Sequence, residues 1–241
     1  MKNSLLVVGA SGGIGGALVS ALSQAGEHVI AVSRQTIDSP PWGSSVEVHT
    51  LAEYSEAQIS SFVNTLNARG VTIKMAIVAT GVLHDESNNL HPEKRLEDVS
   101  HEALGQYFTV NSIIPALWLK YLVNVLAKEQ PSVVALSARV GSIADNQLGG
   151  WYGYRASKAA LNMLLKTASV EYARRLKQPL LVSYHPGTVD TALSQPFQRN
   201  VKANKLFTAE FTARQLLLHL SRLDRTQPCH FIAWDGTPVP W

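Results

Sequence analysis

Among 241 residues there is one cysteine, Cys229, so the chain can close no internal disulfide and carries no CxxC pattern. An HExxH zinc motif is missing as well. Long apolar runs are also lacking. The opening MKNSLLVVGASGG is apolar for only a few residues before its glycines, too short for a signal h-region and far short of the roughly 20 residues of a membrane span. It reads instead as a buried strand starting almost at residue 1. Charge of one sign is scarce: 21 Lys and Arg stand against 18 Asp and Glu, a formal net charge of +3. No basic run with interleaved aromatics offers a nucleic-acid surface. Metal, membrane and nucleic-acid roles are therefore not expected, and the expected setting is the cytoplasm. A small phosphate-bearing ligand suits the mild positive charge.

What is present is ordinary globular composition, 46% hydrophobic and 16% charged, enough to bury a sizeable core. Short apolar runs read as strands at 4–10, 28–33, 46–50, 74–80, 132–137, 180–185 and 230–234. Most lack polar alternation, as expected of strands covered on both faces. Amphipathic helical patterns fall between them at about 13–25, 55–69, 100–128, 152–177 and 208–222. Pro115 should kink or divide the third of these. The alternation predicts an α/β fold: one Rossmann-like doubly wound domain over 1–241, with a parallel seven-stranded sheet and helices on both faces. Longer aperiodic stretches lie at 34–45, 82–98, 138–150 and 186–207.

The first strand runs into VVGASGGIGGAL, a glycine turn with Gly9, Gly13 and Gly15 spaced GxxxGxG and with Ser11 and Ile14 inside it. Glycines let backbone N–H groups approach a pyrophosphate, and the helix that follows offers unpaired donors and a positive dipole end. A glycine turn alone is a weak signal; after the first strand of an alternating pattern it points to dinucleotide binding. An NAD site typically places Asp or Glu at the end of the second strand, where this chain has Ser33 and Arg34. Arginine can pair with a 2′-phosphate, so NADP(H) is favoured, while Asp38 keeps NAD(H) open.

Further on, GGWYGYRASKAALNM sets Tyr152 and Tyr154 near Lys158. Lys158 lies four residues after Tyr154, on the same helical face, whereas Tyr152 has Ala156 at that offset. Tyr154 is thus the candidate general acid or base, with the ammonium, and the positive nicotinamide when oxidised cofactor is bound, expected to lower its ordinary value near 10. Tyr152 is expected to pack or to line the pocket.

Together GASGGIG (9–15), VN (110–111), LSARVG (136–141), YRASK (154–158) and PGTVDT (186–191) resemble the short-chain dehydrogenase/reductase family along essentially the whole chain. SARVGSI followed by YRASKAALN is most similar to the branch holding C-factor and the sniffer-type carbonyl reductases. The resemblance implies hydride transfer between a nicotinamide and a carbonyl or alcohol carbon of a small molecule. It implies that Lys158 holds the nicotinamide ribose, that Asn111 supports a water relay, and that Gly81 permits close approach of backbone to cofactor. Pro186 and Gly187 would form the cofactor-side turn after the sixth strand, and the Val189 backbone and Thr191 hydroxyl would meet the nicotinamide carboxamide. Residues 192–207 would form a substrate lid, and the assembly would be a homodimer or homotetramer.

Departures from the family pattern are visible. The usual serine pair reads Ser137-Ala138, so Ser137 is the candidate for holding the substrate oxygen and Ser142 the reserve. The fourth strand ends Val78-Ala79-Thr80-Gly81 rather than Asn-Asn-Ala-Gly, and the third lacks the family's adenine-binding Asp, for which Glu53 is the candidate substitute. These departures motivate a rival reading, a nucleotide-binding regulatory or signalling protein with little turnover. His84 and His91 read as surface loop residues, Trp118 and Trp234 as core or interface, and Trp151 as a possible pocket wall.

Overall fold

A computed structural model describes residues 3–38 and 42–241, with the backbone alone for Asn200 and Ala203. Seven strands form one parallel sheet: β1 (Asn3–Val8), β2 (Val29–Ser33), β3 (Val46–Thr50), β4 (Thr72–Val78), β5 (Ser132–Leu136), β6 (Leu180–His185) and, at the far edge, Cys229–Ala233. The last of these follows a pair of two-residue strands, β7 (Thr188–Val189) and β8 (Leu206–Phe207), and is β9. Strand order is β3-β2-β1-β4-β5-β6-β9, so the chain starts at mid-sheet and reverses direction between β1 and β4.

Alternation along each strand feeds two cores. Leu6 and Val8 of β1 pack with Ile59 and Phe62 of α2 (Glu56–Ala68), Trp118 of α4 (Ile114–Leu122) and Leu161 of α5 (Tyr152–Arg175). Leu5 and Val7 face the opposite way, onto Leu18 and Leu22 of α1 (Gly13–Gln24) and Leu216 of α6 (Ala209–Leu220). Trp118 is fully buried in the first core.

The helix expected over 100–128 is not continuous. Helix α3 (His101–Phe108) passes into a π-turn at Thr109–Ile113 and then into α4, which ends at Leu122. Pro115 has no N–H to give the preceding turn, and the widened turn sits just before it. Residues 123–127 leave the helix because β4 captures them: Ile73 N donates to Val125 O and Ala127 N to Ile73 O, both at 2.8 Å. That pairing also explains why β4 begins at Thr72, two residues before the expected start. Of the aperiodic 34–45 stretch, residues 39–41 lie outside the described residues, as do Met1 and Lys2.

Candidate active site

The glycine turn is built at the carboxyl end of β1. Gly9 takes φ 88°, and a Cβ on it would lie 3.0 Å from Ala79 O. Gly15 is tighter still, since a Cβ there would meet Gly9 O at 2.1 Å. Helix α1 starts with Gly12 as its N-cap, no side-chain cap and no acidic residue in its first turn. Its leading N–H groups and positive dipole end are consequently free for an anion. Ser11 is exposed beside them, and Ile14 is half-buried.

Gly9 N and Ala10 N both donate to Val32 O, at 2.8 and 3.0 Å, which ties the turn to the end of β2. Ser33 is buried with its hydroxyl turned back onto the Gln35 carbonyl. Arg34 is exposed, and its charge reaches Tyr54, whose phenol burial pushes up to about 12. Asp38 and Glu53 are both exposed.

Tyr154 and Lys158 lie one turn apart on α5, both buried, with Lys158 Nζ 5.9 Å from the Tyr154 ring centre. The ammonium donates to Leu136 O at 2.8 Å. Burial dominates both groups: it pulls Lys158 from 10.5 down to about 7 and pushes Tyr154 well above its ordinary value. In the protein without cofactor the expected lowering of the phenol is not found. Desolvation penalises each charged form, and the ammonium's attraction does not overcome it.

Asn111 sits in the π-turn, fully buried. Its Oδ1 accepts from Val82 N at 2.9 Å, while Nδ2 donates to Val82 O at 3.0 Å and Ser157 Oγ at 3.1 Å. One side chain thus joins the loop after β4 to α5. Gly81 makes room for this junction: a Cβ there would stand 3.4 Å from Lys158 Nζ and 3.5 Å from Asn111 Oδ1.

Ser137 lines the same cleft, but its hydroxyl donates to Asn162 Oδ1 at 2.7 Å. A hydroxyl has one proton, so in this arrangement Ser137 can only accept from a ligand. Ser142 is buried outside the cleft, accepting from Asp145 N at 3.1 Å.

These groups surround a cavity of about 530 Å³. Gly13, Ile14 and Gly15 form one end, Tyr154, Lys158, Ser137 and Ala138 the middle, and Pro186, Gly187, Val189 and Thr191 the wall beyond β6. Gly187 has φ 77°, and Phe207 and Trp234 press against it from behind. Ala192, Leu193, Phe197 and Val201 close one side of the cavity, from a stretch with two short 3₁₀ segments, Gln195–Asn200 and Ala203–Lys205, flanked by the parallel β7–β8 pair. Phe197 from this segment packs edge-on to Trp151 at 5.3 Å and to His84 at 5.7 Å. Trp151 is a cavity wall; Tyr152 is exposed and lines nothing there, contrary to expectation. His84 is more than a surface residue, because its Nε2 bonds Ala192 O at 3.1 Å and holds the loop after β4 to the covering segment. His91 is exposed, and no metal-type cluster of three or more His, Cys, Asp or Glu occurs among the described residues.

Two polar cavity residues were not singled out from sequence. Thr80 Oγ1 and His185 Nδ1 are buried without a hydrogen-bond partner, and burial pulls His185 down to about 4, leaving it neutral. Their positions at the ends of β4 and β6 were the available signal, since strand ends in an open α/β sheet face the cleft.

A doubly wound parallel sheet with a glycine turn after β1 and a cleft across its carboxyl edge is the architecture of a Rossmann-type oxidoreductase. The chain belongs to the short chain dehydrogenase family, whose model matches residues 3–202, and it is an oxidoreductase enzyme. It is 29% identical to 1-hydroxy-2-glutathionyl-2-methyl-3-butene dehydrogenase of Rhodococcus sp. (strain AD45), over 99% of this chain and 100% of the relative. Among solved structures it is similar to the carbonyl reductase Sniffer of D. melanogaster, with TM-score 0.81 or better shared by a second carbonyl reductase, from chicken fatty liver. The Sniffer match has TM-score 0.83 at 22% identity over 100% of both chains. The chicken enzyme, solved with NADPH bound, has TM-score 0.81 at 23% identity over 99% of this chain and 98% of its own. No helix among the described residues is long and apolar enough to cross a membrane.

Proposed function

We propose that the enzyme is an NADP(H)-dependent reductase of small-molecule carbonyls, or in reverse a dehydrogenase of the matching alcohols, with Tyr154 as general acid or base. One observation carries the reading: a buried Tyr154–Lys158 pair faces a cavity whose other end is an uncapped helix N-terminus. The residues present fit a dinucleotide. Gly9, Gly13 and Gly15 permit a tight turn, since a Cβ on any of them would strike Ala79, Thr191 or Gly9 itself; Ser11 and Ile14 lie within that turn, and Thr80 keeps an unpartnered hydroxyl beside it. Arg34, exposed after Ser33, would pair with a 2′-phosphate, a reading supported by the NADPH in the chicken neighbour.

When bound, the nicotinamide supplies or accepts the hydride. Tyr154 then gives its proton to the substrate oxygen or takes one from it, a role worth about 10²–10⁴ in rate. Lys158, with Gly81 clearing its approach, holds the ribose and stabilises developing phenolate; Asn111 fixes the loop and helix on which both depend. Pro186, Gly187, Val189 and Thr191 bound the nicotinamide side. Ser137 orients the substrate oxygen by swinging its hydroxyl away from Asn162. The chain acts as a single domain over 1–241, residues 192–207 close over the substrate, and copies associate through the outward Ile113, Met163 and Val170 as a homodimer or homotetramer in the cytoplasm. The regulatory alternative is disfavoured by the full-length likeness to a dehydrogenase.

The test is NADPH and NADH binding by fluorescence, together with carbonyl-dependent NADPH oxidation by wild type and Tyr154→Phe. Tight NADPH binding with turnover lost in the Phe variant is expected. Tight binding with no turnover on a broad carbonyl panel would move the reading to regulation.

A further inference from the structure

Among the described residues two members of the Asp, Glu, Lys and Arg group are buried: Lys158 at 2% exposure and Glu93 at 3%. The first belongs to the proposed site. The second comes from the loop after β4, and no ion pair among the described residues accounts for it. Both Glu93 carboxylate oxygens accept from Gly153 N, at 3.1 and 3.2 Å, and the Glu93 carbonyl accepts from Trp151 N. Glu93 therefore grips the first turn of α5 with its side chain and the residue before that turn with its main chain.

The helix needs such a grip. Its N-cap residue, Trp151, has no side-chain cap bond and lies in the left-handed region at φ 53°. A tryptophan holds that conformation when its surroundings fix it. A carboxylate at this end also opposes the positive pole of a 24-residue helix. Gly153 completes the fit, because a Cβ there would lie 2.8 Å from Glu93 Oε1 and 2.3 Å from Tyr107 Cδ2. The Tyr107 hydroxyl donates to Leu83 O at 2.8 Å, from the same loop that carries Glu93.

Tyr154 is the next residue. Its ring stands edge-on between Tyr107, at 6.3 Å, and Trp151, at 6.1 Å. Both walls of that box are set by the contacts of Glu93 and Gly153. We infer that Glu93 is a positioning residue for Tyr154: by capping α5 from the loop after β4 it fixes where the phenol points relative to Lys158 and to a substrate oxygen. The inference rests on the general-acid reading above and adds to its support a residue 60 positions before Gly153 in sequence.

The experiment compares Glu93→Ala, Glu93→Asp and Glu93→Gln with wild type and Tyr154→Phe, in the NADPH-bound protein. Readouts are kcat and KM on a carbonyl substrate, NADPH Kd by fluorescence, and amide hydrogen exchange across 150–160. Asp withdraws the acceptor by one methylene, whereas Gln keeps a carbonyl able to accept from Gly153. Glu93→Ala and Glu93→Asp should lower kcat about tenfold or more while NADPH Kd stays within about twofold, and Glu93→Gln should return kcat to within about threefold of wild type. Exchange at Gly153 and Tyr154 should quicken in the Ala and Asp variants only. Unchanged kcat in a folded Glu93→Asp, equal losses of kcat and NADPH binding, or a Gln variant no better than Asp would each overturn the inference. Should Glu93→Ala not fold, the Asp and Gln variants decide. Should Tyr154→Phe turn over like wild type, the general-acid reading fails by itself, and wild-type exchange at Gly153 in Glu93→Asp would then overturn the positioning role separately.

Discussion

The Lys158 ammonium donates to the Leu136 carbonyl at 2.8 Å, so the last residue of β5 anchors the cation that faces Tyr154. Burial holds this lysine near 7, against an ordinary 10.5. Below about pH 7 folded and unfolded chains are both protonated there, and the cost of the buried charge is present in full. Between 7 and 10.5 the unfolded chain carries a proton that the folded protein has shed, so stability rises with pH. Urea melts of the cofactor-free protein should show wild type gaining on Lys158→Met from pH 7 to 10. A difference flat with pH would mean that Lys158 titrates normally.

Arg34 follows a strand end that is locked to the glycine turn through Val32 O. Arg34→Glu should weaken NADPH binding by about tenfold or more and leave NADH within about twofold, since a 2′-phosphate pairs with the guanidinium and a 2′-hydroxyl does not. Fluorescence titration of both nucleotides reads the ratio directly. Equal weakening of the two would remove Arg34 from cofactor choice.

Ser137 has one proton, and it goes to Asn162 Oδ1. Ser137→Ala leaves Asn162 Oδ1 buried without its donor and should cost about 1–3 kcal/mol in urea melts. If the hydroxyl also turns to substrate, kcat falls by about tenfold or more with NADPH Kd unchanged. Full kcat in a destabilised Ser137→Ala would confine Ser137 to joining β5 to α5 and pass the oxygen-holding role to Thr80 or His185.

Gly15 has backbone, not side chain, in the space a Cβ would need. Gly15→Ala must open the turn, so it should cost about 1–3 kcal/mol and abolish measurable NADPH binding together. A thermal melt and a fluorescence titration check both halves.

The parts of this architecture that sequence displays are those whose physics is local. Gly15 is required by an atom six residues away, Gly9 O, and Tyr154 and Lys158 share a face because a helix repeats every 3.6 residues. Strand burial is local too: Leu6 and Val8 against Leu5 and Val7 divide the two cores by simple alternation. What sequence hid depends on distant partners. Residues 123–127 have a helical pattern and leave the helix because β4 offers Ile73 to pair with. Tyr152 and Tyr154 are chemically alike, and only the fold turns one outward and the other between Tyr107 and Trp151. Glu93 looks like any loop carboxylate until α5 arrives above it. Two-residue strands such as β7 and β8 are too short to leave a period at all.

That last pair has a consequence for how the cleft can change over evolutionary time. Thr188 pairs with Leu206 and Val189 with Phe207, which staples both ends of the covering segment to one spot beside β6. Residues 190–205 form a closed loop whose ends stay fixed whatever its length. Doubling such a loop costs only about 0.6 kcal/mol in closure entropy. The roof of the cavity can therefore be lengthened, shortened or rewritten with little penalty, while the tyrosine, the lysine and the glycine turn beneath it stay where they are.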